Sequence, residues 1–280
     1  MRGKKSFTNE QARLKDLECG IIRKDTYIKC SVLHTYICPK CGFDWLVKPH
    51  SIWTKNSKSC CGPKLTANDD FFNVIGSEQA YILGFLITDG HIEKDRPRII
   101  INLSDKDKKH LEDIRDIISP KSIISIPTWK KTTKEYNGCT LGFTSDKIYN
   151  YLKKIGFTHN KTGNEPNLFP IIPKEYHWDY LRGIIDGDGG IYYGIYNRRK
   201  NNKVFKSIRI QISSLSKRFL EEIKEFIGFG SINFSRGCFN YYTTKHKHIV
   251  DIGDKIYYKS NLIKIERKYN KYLEVKSLFV

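Results

Sequence analysis

One segment of this chain occurs twice, and any fold must accommodate both copies. Residues Ile99 to Ile114 read as a strand rich in β-branched residues that runs into a helix, and Ile208 to Ile223 read the same way 109 positions later. Each copy continues to a Ser-Ile step, Ser122-Ile123 and Ser231-Ile232. Asp146 to Tyr149 returns as Asp254 to Tyr257. Ahead of each strand lies an apolar helix ending in Asp-Gly, at Asp89-Gly90 and Asp188-Gly189, a pair offset by 99. The second copy therefore carries about ten extra residues between helix and strand, visible as the insertion 193–206 with a polar turn at Asn197 to Asn202. Each half reads as an α+β unit of αββαββα type, and the proline-rich stretch 164–173 reads as the linker between them.

The Asp-Gly helices carry the chemistry. Tyr81 to Gly90 and Tyr180 to Gly189 are apolar nearly all round, so both belong inside. Ser77 suits the N-cap of the first. Gly84 and Gly183 sit mid-helix, where glycine is unfavourable unless another backbone must come close. Two such helices are expected to pack on each other about a pseudo-twofold axis. Asp89 and Asp188 would then meet at the negative ends of two helix dipoles, a doubly unfavourable place for carboxylates. A divalent cation reverses both penalties, and carboxylates suit magnesium. The pair is read as metal ligands for phosphodiester hydrolysis.

Leu181-Arg-Gly-Ile-Ile-Asp-Gly-Asp-Gly189 closely resembles the motif of the LAGLIDADG homing endonuclease family. Ile82 to Gly90 is similar but looser, with Ile87 in place of the first motif Asp. The resemblance covers roughly 68–280. It implies a single-chain pseudo-dimer whose halves each lay an antiparallel saddle sheet in the DNA major groove, with Asp89 and Asp188 as the metal ligands. It also implies one basic active-centre residue per half; the matching positions are Lys161 and Lys268, which would stabilise phosphate charge or polarise the attacking water. Asp105 and Ser214 occupy the places where the family often positions water. Arg96, Arg98, Arg198, Arg199, Lys200, Lys203, Lys206 and Arg209 are the candidate DNA-contacting residues on the hairpins.

Charge points the same way. The net charge is +19, with an excess of 8 in residues 1–67 and 12 in 193–280, while 68–192 is near neutral. Such an excess destabilises a fold by self-repulsion and is explained by a polyanionic partner, double-stranded DNA first. No apolar run suits a signal peptide or membrane span, so a soluble intracellular protein with reduced thiols is expected, and two motifs in one chain point to a monomer. Six of the eight cysteines fall in the first 61 residues. Cys38-x2-Cys41, followed by Cys60-Cys61, has the spacing of a structural zinc site, although adjacent cysteines chelate awkwardly. His50, His34 or Cys30 then remain open as the fourth ligand. The segment resembles the small zinc-binding modules appended to phage and intron endonucleases, with Trp45 and Pro49 also matched.

The expected division is a zinc-ribbon-like accessory module at 1–67, a first half at 68–165 and a second at 166–280. The expected activity is a magnesium-dependent endodeoxyribonuclease of intron-homing type. Two other readings share the fold: an RNA maturase that assists splicing, and a DNA-binding regulator. Retention of both Asp89 and Asp188 separates the nuclease from either.

Overall fold

Alternating apolar residues along the repeated strands decide which face of each sheet is covered. In Arg98–Ser104, Ile99 and Ile101 are buried while Arg98 and Asn102 are exposed; in Lys203–Ser214, Ile208, Ile210 and Ile212 are buried and Arg209 is exposed. The computed structural model describes residues 7–39, 44–55, 67–131, 134–198 and 203–278, and divides into two compact units, 1–64 and 65–280.

The first unit contains helix α1 (Asn9–Glu18), strands β1 (Ile22–Arg23), β2 (His34–Ile37) and β3 (Asp44–Val47), and helix α2 (Pro49–Lys55). Its three strands form an antiparallel sheet in sequence order. The Thr8 side chain and Gln11 cap α1 reciprocally. Among the described residues its buried apolar cluster is Ile21, Tyr36 and Ile52, with Cys19, Trp45, Val47 and Trp53 packed against it. Buried Asp16 ties the unit together by accepting from Arg23, Tyr36 and Trp53.

The second unit opens with α3 (Ser77–Asp89), β4 (Gly90–Ile92), β5 (Arg98–Ser104), α4 (Lys108–Ile118), β6 (Ile124–Ser125), β7 (Thr128–Lys131), β8 (Lys134–Thr144) and α5 (Asp146–Lys154). It continues with α6 (His177–Gly187), β9 (Gly189–Arg198), β10 (Lys203–Ser214), α7 (Lys217–Ile227), β11 (Ser231–Ser235), β12 (Cys238–Thr243), α8 (His246–Ile256) and α9 (Glu266–Ser277). The first sheet runs β4-β5-β8-β6 with β7 also on β8; the second runs β9-β10-β12-β11. All pairs are antiparallel, and the two orders correspond strand for strand. The insertion in the second half lengthens its first hairpin: β9 and β10 have 10 and 12 residues, against 3 and 7 in β4 and β5.

Two details depart from the sequence reading. Ser77 is the first helical residue of α3 rather than its cap, because its hydroxyl faces α6 and donates to Asp179 at 2.8 Å. Gly76 takes the cap position, with its N–H donating to Gln79. Arg96 does not alternate with Arg98 along a strand; it lies in the β4–β5 turn, where its carbonyl accepts from the Arg98 N–H.

Candidate active site between two helices

Helices α3 and α6 pack backbone to backbone. A Cβ at Gly84 would overlap the Tyr180 carbonyl oxygen and come within 3.1 Å of the Ile184 nitrogen. A Cβ at Gly183 would overlap the Tyr81 oxygen and lie 2.8 Å from the Phe85 nitrogen. Gly84, Tyr81 and Phe85 each map onto Gly183, Tyr180 and Ile184 by the same shift of 99. The contact is therefore reciprocal, as a twofold crossing requires, and the mid-helix glycines have the close approach expected of them.

That crossing brings the two Asp-Gly ends together. Gly187 sits against Thr88 Oγ1, and a Cβ there would lie 2.9 Å from Asp89 Oδ2. Burial first, and then the Asp188 charge, push the Asp89 carboxyl up to about 6, with Lys268 and Lys161 opposing the shift. Burial also raises Asp188, with Lys161 and Lys268 opposing and Glu165 adding. Two carboxylates thus share a partly desolvated site at the negative ends of two helices.

Both predicted lysines reach this place. Lys161 Nζ donates to the Thr88 carbonyl at 2.8 Å, at the end of α3. Lys268 Nζ donates to the carbonyls of Ile185 (2.9 Å), Asp186 (2.5 Å), Gly187 (3.0 Å) and Gly189 (2.8 Å), at the end of α6. Each ammonium satisfies carbonyls that a helix terminus leaves without partners. They are only 8% and 6% exposed, and burial lowers the pKa of each. Among the cations acting on it, Asp89 feels Lys268 more than Lys161; for Asp188 the order reverses.

Beneath this centre lies a polar network that sequence reasoning missed. Asp186 accepts from the Tyr81 hydroxyl at 2.8 Å and the Ile265 N–H at 3.0 Å, and burial raises its pKa to about 6. The Tyr81 hydroxyl also bonds His110 Nε2 at 3.0 Å. Burial pushes His110 down to about 4, so it is neutral. Fully buried Arg182 donates to Asp179 and to the Ile256 and Ile263 carbonyls, with its guanidinium 4.9 Å from the centre of the Tyr81 ring. A polar residue in an apolar helix, Arg182 above all, was the available signal.

The sheet faces turned away from the helices are polar. On the second sheet Tyr192, Arg209, Gln211, Ser213, Asn240 and Tyr242 share one face by register. Asn240 Oδ1 accepts from Gln211 Nε2 and Ser213 Oγ, both at 2.7 Å, and Arg209 stacks over Tyr242. On the first sheet, Asn102 Oδ1 accepts from Thr140 Oγ1 at 2.7 Å, and exposed Arg98 lies beside Gly142. Strand parity puts Lys206 on the side of Ile208 and Ile210, opposite Arg209, so these two candidate DNA contacts do not share a face. Lys203 and Arg198 lie in strands whose side chains at those positions are not described; Arg199 and Lys200 lie outside the described residues. Asp105 is exposed beside Ser104, whereas Ser214 is buried against Glu165. Cys41, Cys60 and Cys61 also lie outside the described residues; Cys38 is buried just beyond β2. Among the described residues no group of three or more His, Cys, Asp and Glu is arranged to hold a metal, and no helix is long and apolar enough to cross a membrane.

Residues 77–156 match the family model of a LAGLIDADG-like domain. An uncharacterized protein of Methanocaldococcus jannaschii is 24% identical over 215 residues, covering 72% of this chain and 22% of that protein. The chain thus spans about a fifth of the length of this curated relative. Among solved structures, the LAGLIDADG meganuclease I-AabMI bound to uncleaved DNA matches with a TM-score of 0.51 at 13% identity, covering 73% of this chain and 91% of that one. I-CpaMI, also bound to uncleaved DNA, gives 0.50 at 12% identity over 73% and 92%. I-SmaMI, bound to cleaved DNA, gives 0.50 at 13% over 72% and 88%. The match to a LAGLIDADG-like domain is thus confined to residues 77–156, and the fold is similar to that of LAGLIDADG meganucleases.

Proposed function

We propose that this chain is a homing endonuclease that makes a metal-dependent double-strand break in a long, asymmetric DNA site. The observation that carries the reading is the meeting of Asp89 and Asp188 at a reciprocal helix crossing, where burial pushes both carboxyls toward their neutral forms. An apo fold gains nothing from such a pair. The donors are carboxylate oxygens, which fit a hard divalent cation. Asp89 and Asp188 would hold magnesium, which when bound supplies charge neutralisation at the phosphate and a more acidic water. Lys161 and Lys268 keep positive charge at the same end of the helices, placed to balance charge that develops on the phosphate oxygens. The polar sheet faces carry Arg98, Asn102, Arg209 and Gln211 toward base edges and phosphates, and the longer second hairpin extends that half's footprint. The meganucleases of similar fold are themselves bound to DNA, which supports double-stranded DNA as the partner.

Residues 68–165 and 166–280 form the two halves of one active protein, so a single chain cuts as a monomer. Residues 1–67 form a DNA-binding accessory module held by one structural zinc on Cys38, Cys41, Cys60 and Cys61. The small apolar cluster among the described residues of that unit supports a metal staple. Elemental analysis of protein purified without chelator is expected to find one zinc per chain, lowered in Cys38→Ser; none would remove the zinc proposal.

The direct test uses DNA flanking the chain's own gene, joined as it would be without the insertion. Incubated with protein and Mg2+, it should suffer a double-strand cut. Tight binding of that DNA without cutting would favour a regulator, and preferential binding of the intron's RNA a maturase.

A further inference from the structure

Each lysine-bearing segment reaches across to the opposite half. Arg267, next to Lys268, donates to Asp107 in the β5–α4 loop through Nε (2.8 Å) and Nη2 (2.7 Å). Asp107 is 7% exposed and spends both carboxylate oxygens on this fork. Glu165, four positions after Lys161, enters the corresponding β10–α7 loop. Its Oε1 accepts from Ser214 Oγ at 3.0 Å and from the Gly163 N–H at 3.2 Å, and its carbonyl accepts from Arg218 Nη2 at 2.8 Å. Glu165 is 6% exposed, and its Oε2 is buried with no partner among the described residues. The two loops are equivalent, since Asp105 and Asp107 map onto Ser214 and Ser216 by the shift of 109. Their partners are not equivalent by sequence, so two different chemistries reach the same loop of the repeat.

These contacts are absent from the reading that the lysines merely cap helix ends. Lys161 lies between α5 and α6, in a stretch without regular structure, and Lys268 lies in the first turn of α9. No helix or strand of its own half carries the Lys161 backbone, whereas Lys268 is carried by α9, whose start is tied down by the Lys268 N–H donating to the Ile265 carbonyl. A buried carboxylate with an unused oxygen is costly, so a selected role is needed for Glu165.

We propose that crossed clamps position the two active-centre lysines: Glu165 with Ser214 and Arg218 holds Lys161, Asp107 with Arg267 holds Lys268, and each clamp serves the cutting of one DNA strand. Glu165, Ser214, Asp107 and Arg267 are positioning residues, and the inference rests on the nuclease reading of Asp89 and Asp188. Lys268 also has four carbonyl partners of its own, whereas Lys161 has one. The Glu165 clamp should therefore matter more.

The probe is a duplex selected on the full chain from a randomised library in Ca2+, labelled on either strand and cut in Mg2+ under single-turnover conditions. Glu165→Ala should slow one strand by ~10–100-fold, and Asp107→Ala the other by roughly tenfold, so that nicked product accumulates. Duplex affinity in Ca2+ should stay within about twofold of the parent, since no DNA contact is lost. Glu165→Gln keeps an oxygen for Ser214 and should cut near the parent rate. Asp107→Arg combined with Arg267→Asp should recover the strand lost in Asp107→Ala. If Glu165→Ala fails to fold, Ser214→Ala breaks the same clamp with a smaller change. Slowing of the same strand by both variants, or of both strands equally, would overturn the proposal while leaving the nuclease intact. A parent protein that cuts neither strand would remove the nuclease reading, and the clamps' role with it.

Discussion

The two halves agree where backbone meets backbone and differ where side chains fill the space behind. At the α3–α6 crossing, Tyr81, Gly84 and Phe85 repeat as Tyr180, Gly183 and Ile184, and each glycine receives the other helix. One layer deeper the match ends. Leu83 and Ile87 of the first half stand where the second has Arg182 and Asp186, while His110 of the first stands where the second has Phe219. The first half thus lends Tyr81 and His110 to a polar network whose acid and base belong to the second. Symmetry is kept where close approach leaves no choice of residue, and relaxed where either an apolar or a hydrogen-bonded polar filling is tolerated.

The glycines offer the largest effect. Gly84→Ala and Gly183→Ala should each cost about 3 kcal/mol or more by chemical denaturation, since the methyl overlaps backbone rather than a side chain that can turn away. Equal costs express the reciprocity. One variant near parent stability would show that the crossing is one-sided.

A smaller effect comes from making the second half resemble the first. Asp186→Ile leaves the Ile265 N–H unpaired and one bond of Tyr81 unmade, which should cost about 2 kcal/mol. The reverse change, Ile87→Asp, buries a carboxylate in a fully buried apolar position and should cost at least as much. A neutral Asp186→Ile would mean that the network contributes nothing to stability.

The carboxylates of the crossing give a pH signature. The Asp89 pKa of about 6 in the folded protein lies above its ordinary value. Without metal, the carboxyl therefore favours the fold at low pH, and that contribution is lost as pH rises through about 6. Asp89→Asn should stabilise the apo protein at pH 8 by on the order of 1–2 kcal/mol after allowance for solvent screening, with the gain vanishing near pH 4. Magnesium should then raise the melting temperature of the parent and not of the variant. A variant less stable than the parent at pH 8 without metal would contradict the electrostatics described here.

The smallest effect distinguishes the sheets. Arg209→Gln should weaken DNA binding and flatten its salt dependence by about one phosphate contact. Lys206→Gln, on the opposite face of the hairpin, should change the slope less. Equal changes would show that the twist of the long hairpin brings both faces to the DNA.

Much of this arrangement was readable from residues alone, for physical reasons. Repeated β-branched alternation fixes strands and their faces, and a glycine inside a buried helix announces a close neighbour. The family resemblance, rather than spacing, pointed to Lys161 and Lys268, which the structure brings to the helix ends. Glu165 escaped because it has no repeat partner and its value depends on a contact 49 positions away. Arg182 and Asp186 were read only as letters of a motif, although burying both demands partners that no periodicity reveals. Listing basic residues by segment merged Lys206 with Arg209, because charge alone ignores the two-residue period of a strand.

The central claim is that Asp89 and Asp188 together form one centre for cutting DNA. Cleavage of the selected duplex should be followed for the parent, Asp89→Asn and Asp188→Asn in Mg2+, with affinity for the same duplex measured in Ca2+. Each variant should lose double-strand cutting by at least ~1,000-fold, the scale on which removing a principal electrostatic group acts, while binding the duplex about as tightly as the parent. Full cutting by either variant would contradict the account.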